Sequence, residues 1–388
     1  MVKGRCLTAV CALLALSVAA CGSSGTASSG SGATPSGTRE SASGSSDAAA
    51  VGSAKEAVQK LLVRPTTLNV PALPSKPPVG KTIDFIACGV PACQEYIPIL
   101  KQATDALGWN LKAINSGTTP QSVAAAYDQA VRDKPAGVIG SGGISPDVFA
   151  KQLKQLGDLG VPVVLQVVPA STLPGLTAIV YGDKETAANG QQMADYILAD
   201  SGGRDVHLAI VSTPATPVYG EAHTPLTEAV GSSSCTSCSV DTFSFPISDL
   251  GPNLPSKVVS YLRAHPDVNY LFFDFANETD GVPAALQRAG LADKVKIVTI
   301  DIQSTQAEYM KAGQNLVAIA ANPWPEILWT EVGIIASAAM GLDLTAAKSV
   351  ELPRMIITKD NLIDSKGEPY FPLVADYQKI FKTAWQVG

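Results

Sequence analysis

Histidine is scarce in this chain of 388 residues: His207, His223 and His265 are the full set. They are scattered, and two fall at expected strand or helix ends where a structural role suffices, so they do not point to a metal centre. Charged residues make up only 16%, with a formal net charge of −6 and no basic run. That balance argues against nucleic acid and against a patch for anionic membrane surfaces. Beyond the N-terminus no long hydrophobic run reads as membrane-spanning. The most apolar helix candidate, Glu326–Met340, carries Glu326 and Glu331 and fits a buried helix instead. No G-x-S-x-G elbow occurs: Gly140-Ser141-Gly142-Gly143 has the wrong spacing and reads as a plain turn after a strand. The same stretch fails the dinucleotide fingerprint, which needs a further glycine. No cofactor is implied.

What is present begins with an export signal. Lys3 and Arg5 precede the apolar run Leu7–Leu16, which is too short to span a bilayer. The ending Val18-Ala19-Ala20-Cys21 resembles the lipobox of bacterial lipoproteins, in which the cysteine receives lipid and becomes the first mature residue. The alternative is an ordinary secretory signal, and either places the protein outside the cytoplasm. Residues 22–53, rich in Gly, Ser, Ala and Thr, have almost no large apolar side chains to offset chain entropy and read as a flexible tether. With the mixed segment up to Pro78, a coil reach of about 40 Å is expected. Ala54–Val63 reads as a short helix within it.

Of the seven cysteines, Cys6 and Cys11 leave with the signal and Cys21 takes the lipid. Cys88/Cys93 and Cys235/Cys238 remain as two close pairs. In an oxidising compartment the simplest assignment is two short-range disulfides. A zinc site assembled from both pairs stays open, as does a redox role for Cys235-Thr-Ser-Cys238, although that motif lies in a Gly/Ser/Thr-rich loop rather than at a thiol-activating helix start.

From Lys81 apolar strands and helices alternate: strands near 82–87, 109–114, 136–139 and 161–168, with helices near 93–107, 120–132 and 146–159 between them. The strands read as continuous apolar runs, so helices cover both faces. The rhythm then repeats, with strands near 206–211, 239–245, 268–273, 295–300 and 316–320. The fold class is α/β, with two successive doubly wound parallel-sheet lobes.

Such sheets place ligands at the carboxyl ends of their strands. Those positions hold Ser141, Gln166, Tyr219, Phe275, Asn277, Asp301, Asn322 and Trp324, a set suited to a polar ligand held by hydrogen bonds and stacking. Trp324 can stack on a sugar face or anchor the helix that follows. Two of Asp274, Glu278, Asp280 and Asp301, near expected strand ends in the second lobe, could form a glycosidase-type carboxylate pair. A ligand-binding carboxylate or a helix cap is the commoner fate of such residues, and the reading is a binding protein, with no catalytic or metal-ligand residues.

Several stretches together carry a family likeness. They include Asp105–Leu111, Gly160–Val164, Gly182-Asp183 followed by Gly190–Ile197, Ala264–Val268, Ala284–Gly290 and Val298–Asp301. In this order and spacing, Lys81–Thr358 resembles the ribose-type (type I) periplasmic substrate-binding proteins that feed ABC importers. The resemblance implies a hinged clamp whose lobes are joined by three crossovers, near Gly182, Asn322 and Val350. It divides the chain into a signal (1–20), a tether (21–79), a first lobe (80–182 and 322–350) and a second lobe (183–321 and 351–388).

The resemblance also implies that Asp301 accepts hydrogen bonds from sugar hydroxyls. The family's Asp-Arg pair after the fourth strand is here Gln166-Val167, its next arginine falls near Ala222 or His223, and its paired aromatics after the first strand are replaced by Val90–Cys93. Guanidinium forks for several hydroxyls are therefore missing, which favours a less hydroxylated or partly apolar ligand over a plain pentose or hexose. In this frame Cys88 and Cys93 brace the cleft mouth, and Cys235 and Cys238 lie at the far end of the second lobe. The expected protein is a monomeric, lipid-anchored receptor that captures a small, sugar-like solute for an ABC permease. The alternative is a sensor that presents its closed form to a membrane receptor or kinase.

Overall fold

The computed structural model describes residues 43–232, 235–365 and 367–388. The signal-like segment, Cys21 and residues 22–42 of the expected tether lie outside the described residues.

The chain opens with α1 (Ser43–Leu61) and enters the first sheet through β1 (Thr82–Ala87), α2 (Pro91–Leu107), β2 (Asn110–Asn115) and α3 (Pro120–Asp133). It continues through β3 (Gly137–Ser141), α4 (Ala150–Asp158), β4 (Val163–Gln166) and β5 (Leu176–Tyr181). These helices start and stop where local chemistry dictates. Pro91 opens α2 and Gly108, in the left-handed conformation at φ 70°, closes it. Thr119 and Ser122 form a reciprocal capping box around Pro120 at the head of α3. All neighbours in the sheet run parallel, in the order β2-β1-β3-β4-β5.

The second lobe comprises α5 (Asp183–Ser201), β6 (His207–Ser212), α6 (Gly220–Val230), β7 (Ser239–Ser244), α7 (Leu254–Ala264) and β8 (Tyr270–Phe273). It is completed by α8 (Val282–Ala289), β9 (Lys296–Ile300), α9 (Ser304–Lys311) and β10 (Leu316–Ala321). The chain then returns to the first lobe as α10 (Trp324–Ala339), passes through α11 (Thr345–Lys348), adds β11 (Met355–Ile357) to the second sheet and ends in α12 (Tyr377–Ala384). The second sheet has the order β11-β10-β9-β8-β6-β7, and its β10–β11 pair is antiparallel. Two α/β lobes with predominantly parallel sheets are thus present, and the chain crosses between them at Gly182, at Asn322 and just before β11.

Three local expectations are corrected. The continuous apolar pattern holds for central strands such as β4, which is buried throughout. It fails for β2 and β7, which are edge strands with mostly exposed side chains. Residues from Ser43 onward are not tether: α1 starts eleven residues before the expected helix and packs against α5. Alanine supplies the helix propensity there, and Ala54 and Val58, one turn apart, bury the contact. The segment after α1 is tied down as well. Arg64 donates from Nε and Nη2 to the carbonyls of Leu373 (2.8 Å) and Pro372 (3.0 Å), and Leu73 donates to the Ala384 carbonyl at 2.8 Å.

The C-terminal boundary also differs. Residues 351–388 do not all stay with the second lobe, because α12 returns to the first. There Trp385 stacks on Trp329 of α10 with ring centres 5.2 Å apart, and Gln378 donates to Gln102 of α2 at 2.6 Å. The reason is an apolar stripe, Tyr377, Phe381 and Trp385, whose burial needs the aromatic flank of α10.

Candidate functional site: a cleft between two sheets

The carboxyl ends of the two sheets face a common cavity of about 320 Å³. The first lobe contributes Cys88 and Val90 after β1, Ser116 after β2, Ser141 at the end of β3 and Val167 after β4. The second lobe contributes Thr216 and Tyr219 after β6, Phe275 and Asn277 after β8, and Asp301 and Gln303 after β9. The lobes meet across it. Tyr370 donates its hydroxyl to the Ala92 carbonyl at 3.5 Å, and a Cβ on Gly143 would sit 3.2 Å from Thr216 Cγ2.

The turn after β3 shapes one wall. Gly142 has φ +103°, and a Cβ there would lie 2.4 Å from Cys88 Cβ, so only glycine fits. The glycine-rich run is therefore a tight turn under the first-strand loop, in keeping with its reading as a turn. Cys88 and Cys93, both on the cavity wall, form a disulfide, and Cys93 Sγ lies 3.2 Å from Ser141 Oγ. Cys235 and Cys238 form the second disulfide, beside the start of β7 and away from the cavity.

Asp301 is the focus of the second-lobe wall. It is 6% exposed and adopts the left-handed conformation at φ 72°. Its Oδ1 accepts from Asn322 Nδ2 at 2.5 Å and from Trp324 Nε1 at 2.9 Å. Burial pushes its carboxyl up from 3.8 to about 7, against the lowering effect of those two donors. Asn322 is itself held: it donates to Tyr181 Oη at 3.0 Å and accepts from Asn189 at 2.7 Å. This polar cluster sits at the first two crossovers, so the hinge orients the carboxylate.

The eight expected ligand residues therefore divide. Ser141, Tyr219, Phe275, Asn277 and Asp301 line the cavity together. Gln166, Asn322 and Trp324 do not. Asn322 acts on Asp301 from behind. Trp324 is fully buried, with Tyr96 and Tyr181 rings 4.9 and 5.1 Å from its own, which makes it the helix anchor rather than a stacking platform. Gln166 is fully buried and its amide has no partner among the described residues, and Val167 lines the cavity in its place.

Other residues were missed. Tyr96 lies in the second turn of α2, and Tyr370 lies in the loop before α12, yet their rings pack 5.2 Å apart on the cavity wall. Neither position stands at a strand end, so nothing in the local pattern marks it. Gln303 bridges them to the second lobe, donating to Tyr370 Oη at 2.9 Å and accepting from Asn277 at 3.0 Å. Asp280, considered only as a potential acid, also lines the cavity, and burial raises its pKa.

Away from the cavity, His223 Nε2 pairs with Asp274 Oδ1 at 2.7 Å, and Glu278 accepts from the Asp274 backbone at 2.9 Å. Neither His223 nor Asp274 lines the cavity. Among the described residues no group of His, Cys, Asp and Glu could hold a metal ion, and no helix is long and apolar enough to cross a membrane.

Comparison with known proteins agrees with this architecture. No curated protein matches the chain. Among solved structures, an ABC sugar transporter subunit from Rhodobacter sphaeroides is 21% identical, with a TM-score of 0.61 over 73% of this chain and 99% of that one. A 5-methylthioribose transporter solute binding protein from Thermotoga lettingae, in complex with 5-methylthioribose, is 14% identical, with a TM-score of 0.65 over 80% and 95%. XylFII in a XylFII–LytSN complex is 18% identical, with a TM-score of 0.63 over 74% and 100%. At these identities the likeness establishes the fold. The sequence profile of the periplasmic binding protein domain matches residues 93–329, more than half of the chain and most of both lobes. With two α/β lobes, their crossovers and a cleft at the strand ends, this chain belongs to the type I periplasmic binding protein family.

Proposed function

We propose that this protein is an extracytoplasmic solute receptor of an ABC importer, monomeric and held at the outer face of the cell membrane by lipid on Cys21. The observation that carries the reading is the cleft between the two lobes. Asp301 is presented into it by Asn322 and Trp324 at the second crossover, so a bound solute would contact a carboxylate held by residues about which the lobes move. Similar structures described as ABC sugar transporter and 5-methylthioribose transporter components support a small polar, sugar-like solute. Ser141, Asn277 and Gln303 supply hydrogen-bonding groups, and Tyr96, Tyr219, Phe275 and Tyr370 supply apolar faces.

A thermal-shift panel of sugars, polyols and small aromatic or amine solutes tests the reading. A solute at a hundred times its dissociation constant adds about 2.7 kcal/mol of stability, enough for a clear rise in melting temperature. A broad panel with no shift would refute it. Recovery of the bound solute chemically unchanged separates a receptor from a hydrolase. For the anchor, Cys21→Ala should abolish incorporation of labelled fatty acid.

A second reading has one observation in its favour. XylFII, a similar structure, is found in a complex with another protein, LytSN. On that reading the closed clamp signals to a membrane receptor or kinase. Co-purification from membranes with a permease or with a kinase distinguishes the two.

A further inference from the structure

Within the receptor reading, on which this inference rests, we propose that the solute carries a positive charge: a protonated amine or quaternary ammonium group on a body of monosaccharide size. The cavity wall contains two carboxylates, Asp301 and Asp280, and no lysine, arginine or histidine. The nearby His223 is paired with Asp274 outside the wall.

Asp301 is the decisive group. Both of its hydrogen bonds go to Oδ1. Its Oδ2 has no partner among the described residues, although the side chain is 94% buried against the cavity, being 6% exposed. With burial raising its pKa to about 7, this carboxylate stays ionised in a closed cleft only with a counter-charge beside its free oxygen. A solute cation supplies that charge and a donor for Oδ2.

The rest of the wall suits the same group. Tyr96, Tyr219, Phe275 and Tyr370 present rings to the cavity, with Tyr219 and Phe275 5.5 Å apart. Aromatic faces attract ammonium groups and do so more strongly when water is excluded. Asp280 is kept in place by Gln306 at 3.0 Å and Asn277 at 3.3 Å, so it adds a fixed negative charge rather than a mobile one. The volume of about 320 Å³ is at the small end for ligand pockets, so one amine and one ring or short chain fill it.

The test uses full-length protein in detergent and isothermal titration with matched pairs: glucosamine and glucose, galactosamine and galactose, choline and 3,3-dimethyl-1-butanol. The cationic member of at least one pair should bind about tenfold or more tightly than its neutral partner. Asp301→Asn should remove that preference, with Asp280→Asn reducing it as a second, independent variant. A neutral member that binds as well as or better than its cationic partner would overturn the charge assignment while leaving the receptor reading intact. Absence of binding for every pair, and for a wider neutral panel, would overturn both.

Discussion

The indole N–H of Trp324 donates to Oδ1 of Asp301 at 2.9 Å, joining the first turn of a first-lobe helix to the carboxylate at the end of a second-lobe strand. The bond spans the lobes at the crossover, and it uses the side of the carboxylate turned away from the cavity. Trp324→Phe keeps the ring and removes the donor. Asp301 would then lose one of the two contacts that favour its charged form, and its pKa would rise further. Solute affinity at neutral pH should fall by about 1–3 kcal/mol, the usual cost of losing a bond to a charged group. Titration calorimetry of wild type and variant checks this. Equal affinities would show that Asn322 alone positions the carboxylate.

The same burial has a pH signature. Asp301 has its pKa raised from 3.8 to about 7 in the folded protein, so between those values the native state holds a proton that the unfolded chain has released. Its contribution to stability is therefore fully present below about pH 4 and is lost as pH rises through about 7. A shift of that size is worth at most ~4 kcal/mol. Asp84 and Glu326, raised to about 7 and about 8 by burial, push in the same direction. Asp301→Asn should isolate its share: the unliganded variant should match wild type near pH 4 and be more stable near pH 8. Urea unfolding at the two pH values measures the difference.

The two disulfides should behave differently. Cys88→Ala with Cys93→Ala loosens a loop that lines the cavity and touches Ser141, so affinity should drop along with stability. Cys235→Ala with Cys238→Ala lies away from the cavity and should lower stability with affinity unchanged. Binding isotherms of the two double variants, measured well below their melting temperatures, separate the effects. Unchanged affinity in the first pair would remove the cleft-loop role.

Arg64 tests the packed N-terminal segment. Arg64→Ala leaves the carbonyls of Pro372 and Leu373 without their donors and should cost about 1–3 kcal/mol. A chain starting at Lys81 loses α1 as well and should be destabilised by more, because the α5 surface covered by Ala54 and Val58 is uncovered. Chemical denaturation with the mid-point compared across the three proteins is the measurement. Identical mid-points would return residues 43–79 to a tether role.

Much of the fold was legible because its causes are local. Pro91, Gly108, Thr119 and Pro120 punctuate helices through their own backbone chemistry. Runs such as Val163-Val164-Leu165 declare a strand with both faces covered. Residues at or after the ends of such strands, Ser141, Tyr219, Phe275, Asn277 and Asp301, lie on the cavity wall for that reason. Short amphipathic pieces in biased sequence were harder. The helix at Ser43–Leu61 carries a weak apolar stripe that has value only against α5, and α12 finds its place only against Trp329.

By itself the sequence determined two α/β lobes and put Ser141, Phe275 and Asp301 at or just past the ends of their strands. These follow from periodicity, turn chemistry and residue type, which act over a few residues at a time. Tertiary structure alone decided that Trp324 and Asn322 stand behind Asp301 rather than in the cleft, that Tyr96 and Tyr370 complete the wall, and that α12 belongs to the first lobe. Those outcomes depend on contacts between residues 21 to 276 positions apart. Which side chain fills a shared space is set by competition among distant partners for burial, and no local pattern encodes it.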